Sequence, residues 1–212
     1  MTATADAATL SAKLKDGTWD LHSAAEKQPF QQNLVRGKVS RDAYTGWLGQ
    51  MLLIHRALEA GLRDLVANDP RAAAVVTDEQ YQEPYLLEDL GTLGLDAGAV
   101  EPLAETTALL ERIAQTAADA PLGLLGFHYV LEGSNNGNAF IARAVRPALG
   151  LDPGSGDRYL DPYGERQRPL WAAFKDAIDT GEFTEAEHEL LIQSARTMFG
   201  AISDLSAALP SE

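Results

Sequence analysis

The sequence contains no cysteine and only four histidines. That absence removes disulfides, thiolate metal sites, cysteine nucleophiles and the C-x-x-C-H attachment of heme together, so any heme would be held non-covalently. Basic residues are scarce as well: 17 Lys and Arg stand against 31 Asp and Glu, giving a net charge of −14. A field of that sign repels nucleic acid and anionic membranes, so neither is expected as a partner, although a local basic cluster could still receive an acidic protein. There is no run of roughly eighteen apolar residues and no charged leader followed by an apolar stretch, which points to a soluble, cytoplasmic protein. Internal repeats, low-complexity tracts and visible linkers are also missing, and so is the β-branched alternation that would mark strands.

What is present is helical. A chain of 212 residues that is 45% hydrophobic can bury a substantial core. It reads as a single all-α domain over 11–209, preceded by a disordered segment 1–10. Apolar residues recur every three or four positions between short Gly and Pro turns. Ser11 is the expected start of the first helix, whose buried face is Leu14, Thr18, Leu21 and Ala25; His22 borders that face. Ser40 is the expected cap of a long second helix with the stripe Tyr44, Trp47, Leu48, Met51, Leu52, His55, Leu58, Leu62 and Leu65, ending at Asn68-Asp69-Pro70. Further helices are expected over 78–90, 103–117, 122–132, 138–149, 166–179 and 185–209.

One junction stands out. "YVLEGSNNGNAFIARAV", residues 129–145, keeps a helical period on both sides of a Gly-Ser-Asn-Asn-Gly-Asn interruption. A kinked helix fits this pattern: Gly133 and Gly137 would let something flat approach the backbone, while Ser134, Asn135, Asn136 and Asn138 would offer neutral hydrogen-bonding groups. A plain helix-loop-helix corner is the competing reading, because Gly and Asn commonly end helices.

"HSAAE" places His22 and Glu26 one helical turn apart. Taken alone, such a pair is a surface contact or a satisfied core histidine. Its neighbours change that reading. "LKDGTWDLHSAAE", "VRGKVSRDAYTGWL", "RALEAGL", "LEGSNNGNAFIAR", "YLDPYGERQRPLWAAFKDAID" and "AEHELLIQSARTMFGAISDL", in this order over 14–205, resemble segments of the biliverdin-producing heme (haem) oxygenases, in particular the bacterial ones.

The resemblance implies a helical bundle that holds heme b (haem b) through His22, with Glu26 behind that ligand. It implies oxidative opening of heme to biliverdin by molecular oxygen, with release of iron and carbon monoxide. The segment containing Gly133, Ser134, Asn135, Asn136 and Gly137 takes the place of the family's glycine-rich distal helix. Gly133 stands where many members carry an aspartate, and the preceding Glu132 is not an obvious substitute. His55 matches a position often held by a tyrosine of the distal network. Lys15 and Lys175 are the candidates for the heme propionates, while Asp179 occupies a place where another base might have been expected.

No flavin or nicotinamide fingerprint is visible, so electrons would come from a separate reductase or ferredoxin-like donor. Lys13, Lys15, Arg36, Lys38 and Arg41 form the densest basic cluster for docking an acidic one.

Two other readings remain open in the sequence. "EAEH", residues 185–188, spells the E-x-x-H of a di-iron carboxylate oxidase, but a second copy is missing, and Thr184 with Glu187 also reads as a capping box. A heme- or bilin-binding protein without turnover could use the same fold. His128 reads as a packing or surface residue.

Overall fold

A computed structural model describes residues 8–210, among which there are helices and turns but no strand. The expected all-α class is what the chain adopts. Residues 1–7 of the segment expected to be disordered lie outside the described residues, while Leu10 is already helical and buried. Thr9, rather than Ser11, caps α1 (Leu10–Ala25): its hydroxyl accepts from the Ala12 N–H at 3.4 Å. Ser11 has a different task, since its N–H and hydroxyl donate to Asp179 at 2.6 and 2.7 Å.

Two short helices escape the sequence pattern. α2 (Pro29–Val35) and α4 (Pro70–Val75) each begin with proline and are too brief to display a period. Between them runs α3 (Arg41–Asn68), capped by Ser40 as expected. Residues 78–80 form a 3-10 turn instead of opening a helix, so α5 (Glu83–Leu93) starts late; it stops at Gly94, whose φ of 83° suits a residue without a Cβ. α6 (Ala104–Asp119) follows.

α7 (Leu124–Leu149) runs unbroken through Gly-Ser-Asn-Asn-Gly-Asn, the single helix that the kinked-helix reading expects. The helix-loop-helix reading fails, and the two separate helices expected over 122–132 and 138–149 are one. Ser134 and Asn136 return their side-chain bonds to the carbonyls of Leu131 and Gly133, at 2.7 and 2.9 Å, so these polar groups are satisfied without leaving the helix. Packing supplies the rest. At Gly126 an added Cβ would stand 2.3 Å from the Leu191 carbonyl oxygen, so α7 and α9 (Glu185–Ala208) touch there backbone to backbone.

α9 packs along both α1 and α7, while α3 supports α5 and α6. The core between them is built from fully buried side chains such as Leu14, Phe30, Tyr44, Leu52, Leu62 and Phe127. The expected capping box at Thr184 and Glu187 is formed, with both reciprocal bonds present.

The non-repetitive segment between α7 and α8 (Gln167–Thr180) is held by two buried carboxylates. Asp89 accepts from the N–H groups of Arg158 and Tyr159 at 2.8 Å each. Asp157 accepts from Gly154 N–H at 2.7 Å and pairs with Arg146, and the Tyr44 hydroxyl donates to the Gly156 carbonyl at 2.9 Å. These bonds turn Tyr159 and Tyr163 inward, where both are buried.

Candidate functional site

A cavity of about 640 Å³ is walled by α1, α2, α3, α7, α8, α9 and Tyr159. From α1 come Lys15, Trp19 and His22, with Glu26 just past its end; from α7, Gly133, Ser134, Asn136 and Asn138. Trp171 and Lys175 of α8, Phe199 and Ile202 of α9, and Trp47 and Met51 of α3 also face it. The i, i+4 spacing of Trp47 and Met51 puts both on one face of α3, and the spacing of Lys15, Trp19 and His22 does the same on α1.

His22 is fixed by its neighbours rather than by hydrogen bonds. Its ring stacks on Trp19 at 5.5 Å with 7° between the planes, and meets Phe199 edge-on at 5.6 Å. Nδ1 is buried without a hydrogen-bond partner; the Glu26 carboxylate lies 3.7 Å away, within ion-pair reach yet too far for a hydrogen bond. The side chain is nonetheless 41% exposed, so the exposed part of the ring is the part away from Nδ1. An imidazole with one nitrogen beside a carboxylate and the other edge open can ligate a metal through that open edge.

Lys15 and Lys175 both border the cavity, and among the described residues neither forms a salt bridge. Lys175 lies over the Trp171 ring at 5.9 Å. Gly133 matters by what it lacks: a Cβ there would come within 3.2 Å of the Trp171 ring, so the bare backbone is what lets the indole close up to α7.

Other expected site residues stand elsewhere. His55 is buried behind Tyr159 and does not reach the wall; its Nδ1 and Nε2 lie 3.2 Å from Glu59 Oε1 and 3.2 Å from the Tyr159 hydroxyl. Asn135 turns to Glu132, donating to Oε2 at 3.3 Å. Gly137 is exposed and does not line the cavity, and a Cβ there would meet nothing within 4 Å. His128 is a core residue, as expected: it bonds Gln80 Oε1 at 3.3 Å, and burial pushes its pKa down to about 4. Asp179 ties α8 to the start of α1 through Ser11.

Of the basic cluster, Lys13 is engaged with Glu185 at 2.9 Å and His188 Nδ1 at 3.2 Å. Arg36, Lys38 and Arg41 remain exposed. The same contacts remove the di-iron reading, because the Glu185 side chain is 83% exposed. No group of three or more acidic or histidine side chains among the described residues is arranged to hold a metal ion.

The carboxyl of Glu132, next to Gly133, is buried and receives the Tyr163 hydroxyl at 2.8 Å, while its Oε1 has no partner. Burial dominates and pushes its pKa up to about 7, against the lowering by the bonds from Tyr163 and Asn135. Sequence reasoning missed Trp19, Trp171, Phe199 and Tyr159. The aromatics on α8 and α9 had a helical period that could have flagged them; Tyr159 lies in irregular chain and had no such signal.

Comparison with known proteins gives the family and the fold. The family model described as heme oxygenase matches residues 8–208. Heme oxygenase 2 of Synechocystis sp. is 24% identical over 198 residues, covering 90% of this chain and 78% of that protein. The heme oxygenase of Leptospira interrogans superposes with a TM-score of 0.87 at 21% identity, over 95% of this chain and all of that one. Heme oxygenase-1 of Synechocystis sp., solved in complex with heme, superposes at 0.86 and 21% identity, over 95% of this chain and 92% of that one. With the family model spanning nearly the whole chain, this protein belongs to the heme oxygenase family.

Proposed function

We propose that the chain binds heme in the 640 Å³ cavity with His22 as the iron ligand, and opens it to biliverdin with release of iron and carbon monoxide. The observation that carries this reading is the His22 ring: Nδ1 buried and unpartnered near Glu26, the opposite edge exposed, on the wall of a cavity large enough for a cofactor-sized ligand. The residues suit heme. Trp19, Trp47, Met51, Trp171 and Phe199 give a flat macrocycle apolar contact, and Lys15 and Lys175 give its carboxylates two ammonium groups.

In this reading heme is the substrate and also supplies the iron at which oxygen is reduced. The Glu26 carboxylate, 3.7 Å from His22 Nδ1, favours by its charge a proton on that nitrogen, the tautomer that leaves Nε2 free. Gly133 and the backbone of α7 limit the space on the other side, and Ser134, Asn136 and Asn138 face it with neutral groups. Electrons arrive from a separate soluble donor in the cytoplasm, docked at Arg36, Lys38 and Arg41, since Lys13 is held by Glu185.

The test is a heme titration followed by incubation with oxygen and a reductase system. Wild type should bind one heme and yield biliverdin, and His22→Ala should lose the axial-ligand absorption spectrum. An unchanged spectrum in the variant removes His22 from the site. Heme binding with no bilin product would instead leave a heme-binding protein.

A further inference from the structure

Tyr159 is the cavity-wall residue with the most elaborate support behind it. Its phenol packs against Trp47 and His55, at ring separations of 5.8 and 5.3 Å, and its hydroxyl lies 3.2 Å from His55 Nε2. His55 Nδ1 lies 3.2 Å from Glu59 Oε1. That oxygen also accepts the N–H groups of Gln82 and Glu83 at 2.6 and 3.0 Å, and Arg63 donates to Oε2 at 3.4 Å. All three side chains are buried. The i, i+4 spacing of His55 and Glu59 continues the α3 face that carries Trp47 and Met51 to the cavity.

Reducing oxygen during heme opening consumes protons, and the remaining polar groups of α7 on the wall cannot release one. Ser134 and Asn136 are bound to helix carbonyls, the amides of Asn136 and Asn138 are no acids, and Gly133 has no side chain. We propose that Tyr159 is the proton donor this chain presents to the cavity, with His55 and Glu59 as its positioning residues; the proposal rests on the heme-degrading reading above.

The step balances as a transfer of one proton. With both ring nitrogens of His55 protonated, Nδ1–H is held by Glu59 and Nε2–H donates to the Tyr159 oxygen, which frees the phenolic O–H to point into the cavity. As that proton passes to an oxygen atom or water in the cavity, the Nε2 proton moves onto the phenolic oxygen. Tyrosine is regenerated, His55 becomes neutral, and solvent later returns the proton. No electron moves in this step. Burial holds the Tyr159 phenol in its protonated form, raised well above a free tyrosine. His128 of α7, which faces the same interior, is kept neutral near pH 7 by burial.

Tyr159→Phe keeps the ring and removes the hydroxyl, and Glu59→Gln keeps an acceptor oxygen and removes the charge. Both are compared with wild type for heme affinity, for single-turnover biliverdin formation in H₂O and D₂O, and, in the ligand-free protein, for the ¹⁵N signals of the His55 ring. Tyr159→Phe should bind heme within about twofold of wild type while turnover falls by about 100-fold, the scale of a lost general acid. The wild-type solvent isotope effect should change with it. The His55 ring should show two protonated nitrogens in wild type and one in Glu59→Gln, whose turnover falls by less.

Wild-type turnover with an equal rate in Tyr159→Phe would overturn the proposal alone. So would a loss of heme affinity in that variant equal to its loss of rate, which would make Tyr159 a structural residue. A wild type that forms no biliverdin would remove both readings. Should Tyr159→Phe fail to fold, the Glu59→Gln rate and the His55 spectrum decide between the same alternatives.

Discussion

The Tyr163 hydroxyl donates to Oε2 of Glu132 at 2.8 Å and leaves Oε1 of the same carboxyl buried without a donor. Such a group is more easily kept neutral than charged, which is why its pKa stands at about 7. The folded chain therefore holds a proton there that the unfolded chain has released between about pH 4.5 and 7. Stability falls as pH rises through that window. Glu132→Gln should remove the loss, gaining on the order of 2 to 3 kcal/mol over wild type at pH 8 and little at pH 4.5. Thermal melts at the two pH values give the comparison; equal differences at both would mean that the carboxyl is ionised in the folded state. Asp89, raised to about 6 by burial, slopes the same way in both proteins and cancels in the difference.

Two glycines of α7 should respond oppositely to alanine. At Gly126 the methyl group would meet the Leu191 carbonyl and the Ser194 Cβ, at 2.3 and 2.7 Å, so α7 and α9 must separate. Gly126→Ala should cost about 1 to 3 kcal/mol. At Gly137 the methyl group meets nothing, and Gly137→Ala should stabilise by up to about 1 kcal/mol through helix propensity alone. Denaturant midpoints test both, and a destabilised Gly137→Ala would show that α7 bends or packs there.

Lys15 and Lys175 should act on the carboxylates of the ligand and on little else. Replacing either with alanine should weaken heme binding about two- to fivefold, the range of a solvent-exposed ion pair. Heme dimethyl ester, which carries no carboxylate, should bind wild type and variants alike. If the ester distinguishes them, the lysines contribute packing rather than charge.

Donor docking gives a prediction within the basic cluster. Charge reversal at Arg36, Lys38 or Arg41 should slow turnover with an acidic electron donor at low salt, and the deficit should shrink as ionic strength rises. Lys13→Ala should have a smaller effect, because Lys13 is committed to Glu185. A rate indifferent to salt would place the docking surface elsewhere.

The helices were legible wherever they were long enough to repeat. The α3 stripe from Tyr44 to Leu65 and the caps at Ser40 and Thr184 were written plainly in residue spacing. Gly-Ser-Asn-Asn-Gly-Asn left a kinked helix and a corner both open, because propensity counts each residue locally, while α7 is held as one helix by the close contact with α9 and by side chains that bond within their own helix. His22, Lys15 and Lys175 were reached through the resemblance to heme oxygenase segments, since the spacing of His22 and Glu26 alone reads as an ordinary helical pair. His55 was found as a polar residue in an apolar stripe, but its partner Tyr159 lies 104 positions away, a separation no local pattern spans.

The segment carrying Tyr159 is pinned through its main chain: Asp89 holds the N–H groups of residues 158 and 159, Asp157 that of Gly154, and Tyr44 the carbonyl of Gly156. Bonds to backbone do not depend on which side chain follows. The path of this loop is thus uncoupled from the residue it offers to the cavity, so that residue can be exchanged by mutation while the loop keeps its course.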